Sequence, residues 1–218
     1  MESSRSGQHA SSPTPATAEQ IDTAGDPAPS APTSPRAWIV VFAAGVLAAM
    51  HVWKFPGAMH LIRQDLNVSL VEAGTLLGIV QVAAMLLGLA VSVVSVRLGM
   101  RRTLLLGLAL LGVGSLLGAL STQTWHLMVT RGVEGIGFIL ATIVGPPLIR
   151  QLVPATRVAS AIGWWSAFQG TAVFIAMIVS TFLLSQTQLM AWNGWWVIMA
   201  VATFASMAFV VWQVPQDR

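Results

Sequence analysis

The chain has no cysteine among its 218 residues, which removes disulfides, thiolate metal sites and a cysteine nucleophile together. Charge is almost as scarce: Asp, Glu, Lys and Arg make up 9% of the residues, and the formal net charge is only +3. The few basic residues are scattered between apolar segments and form no stripe able to follow phosphates, so nothing supports nucleic-acid binding. Catalytic signatures are missing as well. The sequence contains neither G-x-S-x-G nor H-E-x-x-H, and no two aspartates share an apolar segment; Asp22, Asp26 and Asp65 are placed in the tail or a loop. An intramembrane protease is therefore disfavoured, and no cofactor or metal site is expected. Met1 is not followed by a short apolar core with a small-residue cleavage site, so the start does not read as a signal peptide.

What is present is apolar. Hydrophobic residues reach 55% and mean hydropathy is +0.74, the balance of an integral membrane protein rather than of a water-soluble domain. Residues 1–35, rich in Ser, Pro, Thr and Ala, are expected to form a disordered cytoplasmic tail. A bundle over 36–215 follows, with 216–218 as the start of a linker. Within the bundle, runs near the roughly 20 residues needed to cross a bilayer predict six helical spans: Ala37 to Leu61, Leu70 to Val96, Thr103 to Leu120, Leu127 to Ile149, Val158 to Leu184 and Trp192 to Trp212. Only RLGMRR separates the second from the third, which demands a tight hairpin.

Arginine placement sets the expected orientation. Arg97, Arg101 and Arg102 occupy the second loop, Arg150 and Arg157 the fourth, and Arg36 and Arg218 flank the bundle, whereas the first, third and fifth loops hold only Arg63. Both termini should then be cytoplasmic. Trp125, Trp192, Trp195 and Trp196 fall at the outer ends, where amphipathic rings suit the headgroup level. Gly74 with Gly78, and Gly114 with Gly118, are spaced to let helices approach closely.

Ionisable groups inside the spans are costly and need a reason. Arg131 and Glu134, three residues apart on the fourth span, share a helix face and can neutralise each other. They are either a structural ion pair or part of a polar path. Lys54 lies about nine residues before Arg63, roughly 13 Å deep at the helical rise, near the depth of Arg131. It leaves one positive charge that no acidic residue offsets, unless it reaches outward or burial neutralises it. Glu72 is expected at the outer mouth. A small monovalent anion would complete the balance. Gln81 and Gln169 fall near the middle of the second and fifth spans, where an amide can bind a polar solute or bridge helices. His51 is a potential proton carrier or a packing residue. Pro56 is expected to break the first span, and Pro146 with Pro147 to kink or end the fourth.

Three patterns resemble the major facilitator superfamily of transporters. SVVSVRLGMRR, Ser92 to Arg102, is similar to that family's cytoplasmic G-x-x-x-D-R-x-G-R-R signature; it keeps Arg97, Gly99, Arg101 and Arg102 and places Val96 at the acidic position. The resemblance implies a role for these four residues in conformational gating. Leu127, Arg131, Glu134, Gly135 and Gly137 match L-x-x-x-R-x-x-[QE]-G-x-G, and GWW at Gly194 to Trp196 resembles the Gly-Trp entry to the sixth span. Below the superfamily, Lys54 with Pro56 resembles the cyanate type. The resemblance implies an all-α integral membrane fold of six transmembrane helices arranged as two inverted three-helix repeats, half of a twelve-helix transporter. It further implies secondary transport of a small, anionic solute, with Lys54, Arg131, Gln81 and Gln169 binding substrate and Glu134, Arg131 and His51 serving proton coupling or an ion pair. The implied partners are the plasma (inner) membrane bilayer and a second six-helix half or another copy. A non-transporting membrane protein derived from a transporter is the alternative.

Overall fold

The computed structural model describes residues 36–185 and 191–216. The expected disordered tail, the outer loop near Gln188 and the end of the linker lie outside these residues. Eight α-helices are present among the described residues: α1 (Ala37–Asp65), α2 (Leu70–Leu98), α3 (Met100–Ala119), α4 (Thr124–Ile143), α5 (Gly145–Leu152), α6 (Val158–Ser166), α7 (Phe168–Ser185) and α8 (Trp192–Gln213). They make six stretches long and apolar enough to cross a membrane, the fourth formed by α4 with α5 and the fifth by α6 with α7.

Local chemistry explains the boundaries. The α1–α2 connection is closed by Arg63 Nε donating to Val68 O and by a capping box. There Glu72 N donates to Ser69 Oγ, and Ser69 N to the Glu72 carboxylate, satisfying two otherwise orphaned donors. The hairpin between the second and third spans is tighter than expected: Gly99 alone separates α2 from α3, at φ 89°. A side chain would be strained there, so the glycine lets both helices run on and draws Arg97 into the end of α2 and Arg101 and Arg102 into the start of α3. Pro146 and Pro147 stand in the first turn of α5, where a missing N–H costs nothing. The fourth span is thus interrupted at Val144 and restarted. Ala167 interrupts the fifth span, its N–H bonding Trp164 O while its carbonyl accepts from Thr171 N. Most hydroxyls in the spans bond a carbonyl of their own helix, as at Thr75, Ser92 and Thr142, which keeps them from being unsatisfied in an apolar medium.

Three expectations need correction. Pro56 does not break the first span; α1 passes through it unbroken. Trp192, Trp195 and Trp196 are buried inside the bundle, while Trp125 is exposed; rings on the inward face of α8 gain more by packing than at a headgroup boundary. Asp65 is the last residue of α1 and accepts from Trp192 Nε1 at 2.7 Å.

Packing follows a pairwise scheme. The first span lies against the fifth and sixth, the fourth against the second and third, the third against the sixth, and the first touches the fourth. Exchanging spans one, two and three with four, five and six leaves this scheme unchanged, as expected of two three-helix repeats. Since three is odd, the second repeat starts on the opposite side and is inverted. Glycine permits the closest approach, between α3 and α4: a Cβ on Gly107 would stand 2.6 Å from Ala141 N, and one on Gly137 2.7 Å from Gly107 O. Gly114 and Gly118 are also packed, against Glu134 and Trp196, whereas Gly74 and Gly78 meet nothing within 4 Å, because that face of α2 turns outward.

Candidate functional site

The fold brings His51 and Lys54 of α1 against Arg131 and Glu134 of α4, all at most 1% exposed. Their geometry centres on one carboxylate. Glu134 Oε1 accepts from Lys54 Nζ at 2.5 Å, and Oε2 from Arg131 Nη1 at 2.6 Å. The two cations are held by more than this anion. Lys54 also donates to Ser115 Oγ on α3 (2.7 Å) and to His51 Nδ1 (3.3 Å), with Trp196 of α8 4.6 Å away beneath the ammonium. A cation over an indole face is stabilised by the ring quadrupole.

Arg131 solves a problem set by Pro56. Proline has no N–H, so the carbonyl of Val52, four residues earlier, loses its helical partner. Arg131 Nη2 donates to Val52 O (3.4 Å) and Nη1 to the neighbouring His51 O (2.7 Å). The guanidinium therefore bridges a carboxylate on its own helix and the proline-freed stretch of α1, giving the Val52 carbonyl a partner in place of the missing helical one. Arg131 Nε makes no hydrogen bond among the described residues.

The sequence expectation that no acidic residue offsets Lys54 is thus corrected: Glu134 serves Lys54 and Arg131 at once. Counting by depth along separate helices could not show that one carboxylate reaches both. Nor does Lys54 reach outward, being fully buried.

The two glutamines are elsewhere. Gln169, at the start of α7, is half-buried and accepts from Trp53 Nε1 at 3.4 Å, while its amide nitrogen makes no hydrogen bond among the described residues. Gln81 is exposed on α2. The arginines of the α2–α3 hairpin form no part of this cluster; Arg101 Nη2 donates to Val211 O near the end of α8 at 2.9 Å, and Arg97 and Arg102 are exposed beside Gly99.

Sequence reading missed Ser115, Thr203 and Trp53, and placed Trp196 only at an outer end of the bundle. Ser115 carries the clearest sign in the structure, since its hydroxyl donates across helices to Trp196 O (2.8 Å) instead of to its own helix. In sequence, a lone Ser or Thr in an apolar run has no distinguishing mark.

The family profile described as Major Facilitator Superfamily matches residues 41–218. The chain belongs to this superfamily. "Inner membrane transport protein YajR" of Escherichia coli (strain K12) is 26% identical over 144 residues, covering 66% of this chain and 31% of that protein. "Polyol transporter 5" of Arabidopsis thaliana is 29% identical over 122 residues, 53% of this chain and 23% of its own length. Among solved structures, a D-xylose-proton symporter superposes with a TM-score of 0.66 at 18% identity, over 82% of this chain and 48% of that one. The chain spans less than a third of the length of these curated relatives and about half of the solved neighbour. Membership makes this superfamily chain a multi-pass membrane protein of a transporter family, not an enzyme.

Proposed function

We propose that the chain forms one six-helix half of a secondary transporter and that its solute is small, polar and uncharged, with hydroxyl groups. The observation that carries the solute class is the contrast between buried cations already paired with Glu134 and unspent amides. All three ammonium protons of Lys54 have acceptors, and Arg131 is committed to Glu134 and two carbonyls. Gln169 and Gln81 keep amide donors in half-buried and exposed places. Neutral amides beside an indole such as Trp53 suit hydroxyl-bearing solutes, which need directed hydrogen bonds and an apolar ring face. The relatives that bear polyol and D-xylose in their names agree with this class. The narrower reading, an anion carrier of the cyanate type using Lys54, would require Lys54 to exchange an acceptor for the substrate.

Alternating access requires a second six-helix bundle against which this one rocks, supplied by another chain, another copy or a further segment. The face of α2 fits that role, with Val71, Met85, Leu86 and Leu89 at least 75% exposed. Proton coupling belongs to the cluster of Glu134, Arg131 and His51, and Arg97, Gly99, Arg101 and Arg102 act at the inner hairpin during gating. The bundle resides in the plasma membrane with both ends cytoplasmic.

Thermal unfolding of the purified chain in detergent, titrated with a pentitol or a small monovalent anion, tests the solute class, because a ligand that binds the folded state raises the midpoint as the logarithm of one plus the ratio of free ligand concentration to Kd. The pentitol should raise it, and Gln169→Ala should abolish the rise. A rise with the anion instead, lost in Lys54→Gln, would return the reading to anion transport.

A further inference from the structure

His51 and Thr203 join α1 to α8 inside the apolar interior, at 1% and 0% exposure. Their protons can be assigned from hydrogen bonding alone. Thr203 Oγ1 donates to Met199 O at 2.7 Å, which spends its one proton, so only its lone pairs face His51 Nε2 at 2.7 Å. Nε2 must carry the hydrogen of that contact. In a neutral imidazole the other nitrogen is then bare and acts as an acceptor. Lys54 Nζ stands 3.3 Å from that bare Nδ1 and directs its third proton there, after Glu134 Oε1 and Ser115 Oγ have taken the other two. The opposite tautomer would give Nδ1–H an acceptor in Glu134 Oε1 at 3.4 Å, but it would point that hydrogen at the Lys54 ammonium as well, and Nε2 would need the proton already given to Met199.

We infer that Thr203 is a positioning residue for the charge cluster: it holds His51 as the Nε2–H tautomer, so that Nδ1 is presented between Lys54 and Glu134 as the atom at which the cluster takes up a proton. The groups that face His51 are Lys54 on its own helix, Arg131 and Glu134 on α4, and the hydroxyls of Ser115 on α3 and Thr203 on α8. The described part of α7 packed on α1 carries no titratable side chain, and the other described ionisable residues of the bundle stand at or near helix ends. A proton gained at Nδ1 creates an imidazolium 3.4 Å from Glu134 Oε1 and removes one acceptor from Lys54. Proton occupancy is thereby linked to the seating of α8 on α1, since separating the two helices releases the tautomer. The bearing of this link on transport rests on the function proposed above; the tautomer does not.

The test is the ¹⁵N spectrum of His51 in the full chain in detergent micelles, with His9, His60 and His126 replaced by Gln so that one imidazole reports. At neutral pH the wild-type cluster should show a protonated Nε2 and a bare Nδ1. Lys54→Met should keep that pattern, because Thr203 alone suffices to hold it. Adding Thr203→Val to Lys54→Met should move the hydrogen to Nδ1, where it donates to Glu134, and Thr203→Ser in the same background should restore Nε2–H. An Nδ1–H tautomer in the wild-type cluster, or Nε2–H retained in the Lys54→Met/Thr203→Val chain, would overturn the assignment. Titration of the same spectra should show the added proton on Nδ1 of wild type; its arrival on Glu134 with His51 still neutral would overturn the acceptor role. In the assembled transporter, Thr203→Val should displace the pH profile of uptake and Thr203→Ser should not. Lack of uptake by any assembly would count against the proposed function, while the spectra still decide the role of Thr203.

Discussion

The two sides of α1 make opposite uses of polar residues. His51 and Lys54, three positions apart, lie within about 60° of each other around the helix, and Trp53 points roughly 160° from His51 and roughly 100° from Lys54, at about 100° per residue. On the first side every group is buried and the charges are paired. On the second, Trp53 and Gln169 are half-buried and share one neutral hydrogen bond. The difference teaches that the ionisable residues here are committed to one another and to holding helices together, whereas the less conspicuous amide of Gln169 keeps its donor unbonded among the described residues.

The comparison breaks most visibly at Glu134. Glu134→Gln should leave Arg131 and Lys54 facing each other without their shared anion and cost roughly 3–5 kcal/mol, the usual penalty for removing one partner of a buried pair. Denaturant unfolding in detergent measures the loss, and adding Lys54→Met should recover part of it. Full stability in Glu134→Gln would mean that the carboxylate does not hold the cluster.

The packed and open glycines come next. Gly107→Ala drives a methyl toward the α4 backbone and should destabilise by about 1–3 kcal/mol through overpacking. Gly74→Ala, on the outward face of α2, should be neutral or stabilising by up to about 1 kcal/mol from helix propensity. Equal effects at the two sites would contradict the close α3–α4 approach.

On the neutral side of α1, Gln169→Ala should change stability by less than about 0.5 kcal/mol, as a half-buried side chain with one long hydrogen bond, yet remove the midpoint shift caused by a pentitol. A large stability loss there would make the pair a structural bridge and not a solute site. The smallest expected perturbation is Gln123→Cys before α4. It should leave unfolding unchanged and react with an impermeant maleimide in intact cells, since the cysteine-free background gives no other signal. Protection at that position would reverse the proposed orientation.

Much of the architecture was legible because a bilayer imposes simple demands. Apolar length located the spans, and the Arg131-x-x-Glu134-Gly135 run identified one helix of the cluster. The Gly99 connection was visible as a short hairpin, although its reduction to one residue required φ 89° to be seen. Less legible were the faces. Gly74 and Gly78 have the same spacing as Gly114 and Gly118, yet only the latter pair is packed, because identical motifs on two helices say nothing about which faces meet.

Sequence alone determined that the chain is helical, membrane-spanning and six-fold in its spans, since hydrophobic length and the need to satisfy backbone groups without water leave few other solutions. It also determined that Lys54, Arg131 and Glu134 require compensation. Tertiary structure alone decided how. Glu134 comes to serve two cations, Arg131 caps the carbonyl that Pro56 sets free, and Thr203 reaches His51 across 152 positions of chain, because hydrogen bonds are fixed by distances of about 3 Å that only the packing of α1, α3, α4 and α8 can establish.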